Sequence, residues 1–275
     1  MTAPADSPVL LRAEDVRVVY RRAGRRTEAV KGVTFELREG RCLGIVGESG
    51  SGKSSLARAL LGLEPDAATG RVLFRGRDVL TMDRTARTAF RREAQMVFQD
   101  PLGSLNPRMR AGETLAEVLL VHGRARTRRE AAEQAAEWLS VVGLDADYAP
   151  RYPHELSGGQ RQRVNLARSL CTGATFLIAD EPVSALDVSV QARILNLMKD
   201  LQRTRGITWI LIGHDLAVMR AMADDLLVMQ SGECVESGPA SAVLFAPRHP
   251  YTRTLLSSVP DVPTSLSRRF PSRPS

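Results

Sequence analysis

Gly47-Glu48-Ser49-Gly50-Ser51-Gly52-Lys53-Ser54 fits the pattern GxxxxGK[ST]. Its glycines let the backbone curl so that successive N–H groups converge on phosphate oxygens. Cys42–Val46, a short apolar run, precedes the loop, and Ser54–Leu61 has helical character. A helix there adds its positive N-terminal end. In this reading Gly47, Ser49, Gly50, Gly52 and Ser55 line the loop, Lys53 reaches the β- and γ-phosphates, and Ser54 ligates Mg²⁺. A nucleoside triphosphate with Mg²⁺ is what this chemistry calls for.

Phe176-Leu177-Ile178-Ala179-Asp180-Glu181 reads as an apolar strand ending in two acids. A charge at a strand's C-terminal end stands where α/β sheets bind ligands. Asp180 is the expected Mg²⁺ ligand, and Glu181 the general base for an attacking water. Leu156-Ser157-Gly158-Gly159-Gln160 precedes a helical segment, Arg161–Leu170. Ser157 is a natural N-cap, and the glycines leave N–H groups bare. That makes a second anion-binding helix start.

These residues need a parallel sheet to carry them. Leu10–Tyr20 and Val33–Leu37 alternate as half-buried strands, and Arg21–Arg26 between them reads as a hairpin loop. Gly112–His122 and Thr127–Val142 have helical spacing, and α/β alternation returns with Phe176–Ala179, Val188–Gln202, Thr208–Ile212 and Leu226–Met229. Unbroken apolar strands fit a buried parallel sheet. Tyr251–Val259 reads as a short helix, and the Ser/Pro/Arg-rich stretch beyond as a disordered tail.

The chain has 275 residues, 43% of hydrophobic type, enough for a substantial core. No apolar run of about eighteen residues is present, and the first eight residues do not form a signal peptide. Cys42, Cys171 and Cys234 are scattered without a CxxC, as expected of reduced thiols in a cytoplasmic protein. The net charge of +7 comes from arginines spread along the chain, which fits a solvated surface.

LSGGQ between a phosphate loop and an Asp-Glu strand resembles the signature of ABC-type ATPases. Gln99, 46 positions after Lys53 (99 − 53), resembles that family's Q-loop glutamine. Ser184-Ala185-Leu186-Asp187 resembles its D-loop, and His214, 33 positions after Glu181, its switch histidine. Tyr20 looks like its adenine-stacking aromatic. The resemblance runs from about Leu10 to Pro260. Gln99–Arg108, Ser184–Gln191 and His249-Pro250-Tyr251-Thr252-Arg253 resemble the dipeptide, oligopeptide and nickel importer branch. Many members of that branch continue into a cysteine-rich C-terminal extension. The absence of cysteines after Cys234 argues against a cluster-binding or regulatory role for one here.

The resemblance implies an α/β P-loop NTPase core over residues 10–260. It implies a mostly parallel sheet with flanking helices, an N-terminal antiparallel β part, and an inserted helical subdomain at about 100–170, with 261–275 as the tail. It implies Glu181, His214 and Gln99 as catalytic groups. Tyr20, Ser157, Gly158, Gly159, Gln160 and Asp187 join the loop in binding nucleotide, and Gln99 joins Ser54 and Asp180 at the metal. Two ATPases would close head to tail over two ATP molecules, each site borrowing Ser157 from the other chain. The partners implied are two membrane permeases, a second ATPase subunit (a different chain, or else a second copy) and, indirectly, a solute-binding protein. The place implied is the cytoplasmic face of the membrane, peripherally bound, with no nucleic acid. A DNA-repair or chromosome ATPase is the alternative class. Such proteins part the two motif halves with long coiled coils, whereas 103 positions (157 − 54) separate them here, without heptads. The cargo is not written in the sequence.

Overall fold

The computed structural model describes residues 7–22 and 25–257. The elements run β1 (Val9–Arg22), β2 (Arg25–Arg38), β3 (Cys42–Val46), α1 (Lys53–Leu60), β4 (Ala68–Phe74), β5 (Arg77–Asp78), α2 (Arg84–Glu93) and β6 (Ala94–Val97). There follow α3 (Pro101–Ser104), α4 (Ala111–Val121), α5 (Arg128–Val141), α6 (Gly158–Leu170), β7 (Phe176–Asp180), α7 (Val188–Arg205) and β8 (Thr208–Gly213). The chain closes with α8 (Leu216–Met222), β9 (Asp225–Gln230), β10 (Glu233–Pro239), α9 (Ala240–Phe245) and α10 (Pro250–Ser257).

One sheet has the order β10-β9-β3-β8-β7-β6, parallel except for the edge strand β10. The other, antiparallel, has the order β2-β1-β4-β5. The two-residue side-chain period of a strand divides the larger sheet between two cores. Phe176, Ile178, Ile210 and Ile212 face the antiparallel sheet and α1. Leu177, Ala179, Trp209 and Leu211 face the opposite core, which also takes in α4 to α8. With both faces covered, these strands are apolar throughout, as their sequences suggested.

Pairing in the first hairpin continues through Tyr20 with Thr27, Arg21 with Arg26 and Arg22 with Arg25. The arginines expected in a loop therefore end the two strands instead. A short connection allows pairing to its edge, and residues 23–24 lie outside the described part, as does the expected tail, 261–275. β2 begins well before Val33, because its polar first half is paired to β1. Helix α2 escaped the sequence reading since Phe90 is its one buried residue. Asp83 nevertheless caps it, accepting from the Ala86 N–H at 2.8 Å. β10, in which no residue is fully buried, escaped for the same reason.

Candidate functional site: a phosphate loop beside two acids

Parallel strands deliver their C-terminal ends to one edge of a sheet. The phosphate loop follows β3, Asp180 ends β7 with Glu181 next after it, His214 follows β8, and Gln99 lies two residues beyond β6. Strand order, with β8 between β3 and β7, sets these ends side by side.

Within the loop, Gly47 has φ +153°, and a Cβ there would stand 2.2 Å from the Met229 carbonyl oxygen. Gly52 has φ +100°, and its Cβ would stand 2.1 Å from the Ala29 carbonyl oxygen. Both close approaches demand glycine. Gly52 is also the N-cap of α1 and offers no side-chain cap, so the first N–H groups of that helix stay free for an anion. Ser49 and Gly50 are exposed, and Ser55 lies in the first turn of α1, half-buried.

Lys53 is buried, and its ammonium donates to the carbonyls of Gly47 (2.8 Å) and Glu48 (2.7 Å) and to Ser51 Oγ (3.4 Å). Burial pulls its pKa down, against the opposing pull of Glu181, Asp180 and Glu48. Ser54 stands beside the Asp180 carboxylate, close enough to pull its pKa down. Burial pushes the Asp180 carboxyl up and Glu181 adds to this, while Ser54, Arg58 and Lys53 work the other way. An oxygen pair of one hydroxyl and one carboxylate is a donor set that suits a hard cation sharing nucleotide phosphates.

Glu181 carries φ 45°, a left-handed conformation that costs an L-residue ~1–2 kcal/mol. Its N–H donates to the Ile212 carbonyl at 2.9 Å, which fixes the turn. The carboxylate is thereby held between Gln99, whose Nε2 donates to Oε2 at 2.8 Å, and His214, whose Nδ1 lies 3.1 Å from Oε1. Such a carboxylate can take a proton from a water that approaches its remaining lone pairs.

Ser157 caps α6, accepting from the Gln160 N–H at 3.4 Å while Gln160 Oε1 accepts from the Ser157 N–H at 2.8 Å. This reciprocal pair is a capping box. A Cβ on Gly159 would stand 2.3 Å from Val190 Cγ1, and one on Gly158 3.1 Å from Leu186 Cδ2. The glycines thus let the start of α7 come close. α6 packs on α3, α4, α5, β6 and α7, whereas α1 packs on β1, β2 and β7. Ser157 thus starts a helix of the helical layer, whereas the phosphate loop opens a helix packed on the sheets. Asp187 caps α7, accepting from the Val190 N–H and the Ser189 hydroxyl, and chiefly that hydroxyl lowers its pKa. Tyr20 is half-buried, with its hydroxyl donating to Glu64 Oε1 at 3.2 Å.

Three participants carried no role in the sequence reading. Ser51 touches the Lys53 ammonium. The Ser184 hydroxyl donates to the Glu181 carbonyl at 3.1 Å. The Tyr148 hydroxyl accepts from Gln160 Nε2 at 3.1 Å. Ser184 stood inside a string already singled out, but its contact depends on the turn made by Glu181.

The sequence profile described as ABC transporter matches residues 30–184, more than half of the chain. The chain belongs to the ABC transporter family. A second profile, described as Oligopeptide/dipeptide transporter, C-terminal region, matches residues 235–274. That region is thus represented here without a cysteine cluster. The chain is 47% identical over 234 residues to the Oligopeptide transport ATP-binding protein OppF of Bacillus subtilis (strain 168), covering 85% of this chain and 76% of that protein. It is 45% identical over 243 residues to the Dipeptide transport ATP-binding protein DppF of Lactococcus lactis subsp. cremoris (strain MG1363), covering 88% and 78%. Among solved structures, the ATP-binding cassette MJ0796, dimeric in a post-hydrolysis state with ADP and Pi, superposes with a TM-score of 0.74. Its sequence is 29% identical, and the match covers 84% of this chain and 99% of that one. As a member of the family, this chain is an ATP-binding subunit that couples ATP hydrolysis to transport. Among the described residues, no helix is long and apolar enough to cross a membrane.

Proposed function

We propose that the chain is an ATPase of a peptide importer, peripheral on the cytoplasmic face of the membrane under two permease chains. The observation that carries the reading is the Glu181 carboxylate, held by Gln99 and His214 beside the Ser54–Asp180 pair. In it, the loop N–H groups and Lys53 bind the ATP phosphates, and Tyr20 packs on adenine. Ser54 and Asp180, with Gln99, hold Mg²⁺, which neutralises phosphate charge when bound. Glu181 receives the proton of the attacking water, and His214 and Gln99 orient Glu181 and that water. Peptide cargo is favoured by the names of the relatives and by the C-terminal match.

Ser157 starts a helix of the helical layer and Lys53 belongs to the sheet layer, so in this reading a site using both is completed by another ATPase subunit. A γ-phosphate held between two helix starts binds two chains together, and its release opens them. The dimeric state of the MJ0796 cassette supports this arrangement. We take the partner to be a different ATPase. The test is purification of the tagged chain from detergent-solubilised membranes of its own cell. A second, non-identical ATPase with two permeases and peptide-stimulated phosphate release is expected. Two copies of this chain with no other ATPase would overturn the pairing, and stimulation by a non-peptide solute alone would overturn the cargo.

A further inference from the structure

The C-terminal region returns to the phosphate loop. On β10, the Glu236 carboxylate accepts from the N–H groups of Arg248 (2.8 Å) and His249 (3.1 Å). His249 Nδ1 accepts from the Tyr251 N–H at 3.2 Å, which fixes the first turn of α10. The Tyr251 phenol oxygen then accepts from the Glu48 N–H at 3.1 Å, across 203 positions of sequence. The carbonyl of that same Glu48 accepts from the Lys53 ammonium. An unbroken run of hydrogen bonds therefore joins the sheet edge to the phosphate-binding lysine.

We propose that Tyr251 is a positioning residue for the phosphate loop, holding the Glu48 peptide in the curl that receives nucleotide, with Glu236 as the clasp that seats Tyr251. This rests on the reading of Gly47–Ser54 as the nucleotide site. The loop needs such a support. Glu48, Ser49 and Gly50 are exposed, and around Gly50, at φ +80°, a Cβ would meet nothing within 4 Å. The Lys53 ammonium and the Ser51 N–H hold the Glu48 carbonyl from inside the loop, and Tyr251 holds the Glu48 N–H from outside it. A loop already ordered loses less freedom when it binds, so the support acts on affinity. Tyr251 stands far from Glu181 in the hydrogen-bond chain, and it touches no group assigned to proton transfer.

Titration calorimetry of the full chain with MgADP tests the proposal, with Lys53→Ala as the control that must lose binding. Tyr251→Phe keeps the ring and removes the acceptor oxygen. Losing one neutral hydrogen bond predicts a Kd raised about two- to tenfold. Glu236→Gln should shift the Kd in the same direction, and by less. Because Glu236 acts through Tyr251, the double variant should bind no more weakly than Tyr251→Phe alone. In ATPase assays of the assembled transporter, the KM for ATP should rise in Tyr251→Phe while kcat at saturation is kept. Wild-type affinity in Tyr251→Phe, or two losses that simply add in the double variant, would overturn the proposal. Absence of MgADP binding by the parent chain would instead remove the nucleotide-site reading beneath it.

Discussion

His214 Nδ1 lies 3.1 Å from Glu181 Oε1, with the two residues at the ends of adjacent parallel strands. Gln99 meets the other carboxylate oxygen from the strand beyond. Glu181 is held in a left-handed backbone conformation between them, so its carboxylate has little freedom to turn away. Glu181→Gln keeps the shape and removes the base. ATP binding should persist while phosphate release falls about 10²–10⁴-fold. His214→Ala should also slow release, and the double variant should lose less than the product of the two. Near-normal turnover in Glu181→Gln would remove Glu181 from the role of base.

Nucleotide should stabilise the chain through Lys53. At a concentration about a hundred times Kd, ligand adds roughly 2.7 kcal/mol. At about 2–4 °C per kcal/mol for a domain of this size, Tm should rise roughly 5–11 °C with MgATP. Lys53→Ala should lose most of that rise. Scanning calorimetry with and without MgATP measures it, and an undiminished shift would take Lys53 out of the site.

Gly159 is required by packing, since a Cβ there would meet the stiff, β-branched Val190 at 2.3 Å. Gly159→Ala should cost roughly 1–3 kcal/mol by overpacking. Adding Val190→Ala opens the space, so the double variant should unfold at a higher urea concentration than Gly159→Ala alone. Purely additive losses in the urea midpoints would show that the two side chains do not compete.

The buried thiols should make the fold sensitive to alkali. Burial pushes the Cys171 thiol up to about 12, and burial with the Asp224 charge raises Cys42 as well. The native chain then keeps protons that the unfolded chain releases above its ordinary thiol pKa of about 8.5. Stability is unaffected below that pH and falls above it, by about 1.4 kcal/mol per pH unit for each such thiol. Cys171→Ala should lessen the fall between pH 9 and 11 in urea titrations and leave the slope below pH 8 unchanged. An identical alkaline slope in the variant would exclude Cys171 as a contributor.

The local chemistry is legible in residue type and spacing. Gly47–Ser54 encodes its curl through glycine conformations, and Ser157 with Gln160 encodes a capping box four residues long. The apolar runs of β3, β7 and β8 announce burial on both faces. Such features depend on neighbours in the chain, so residue type and spacing suffice to read them. Which distant residues meet depends instead on how the elements pack. Glu181 finds Gln99 82 positions away only because β6 lies beside β7. The charged helix α2, with one buried residue, and the edge strand β10, with none, have too little buried surface to leave a periodic apolar signal. Tyr251 stood in a string tied to its branch, yet its partner Glu48 could not be read, because their contact depends on β10 packing at the sheet edge and on the turn that Glu236 holds. Strand order and long-range register are set by the combined burial of two cores, and no local pattern of residues encodes them.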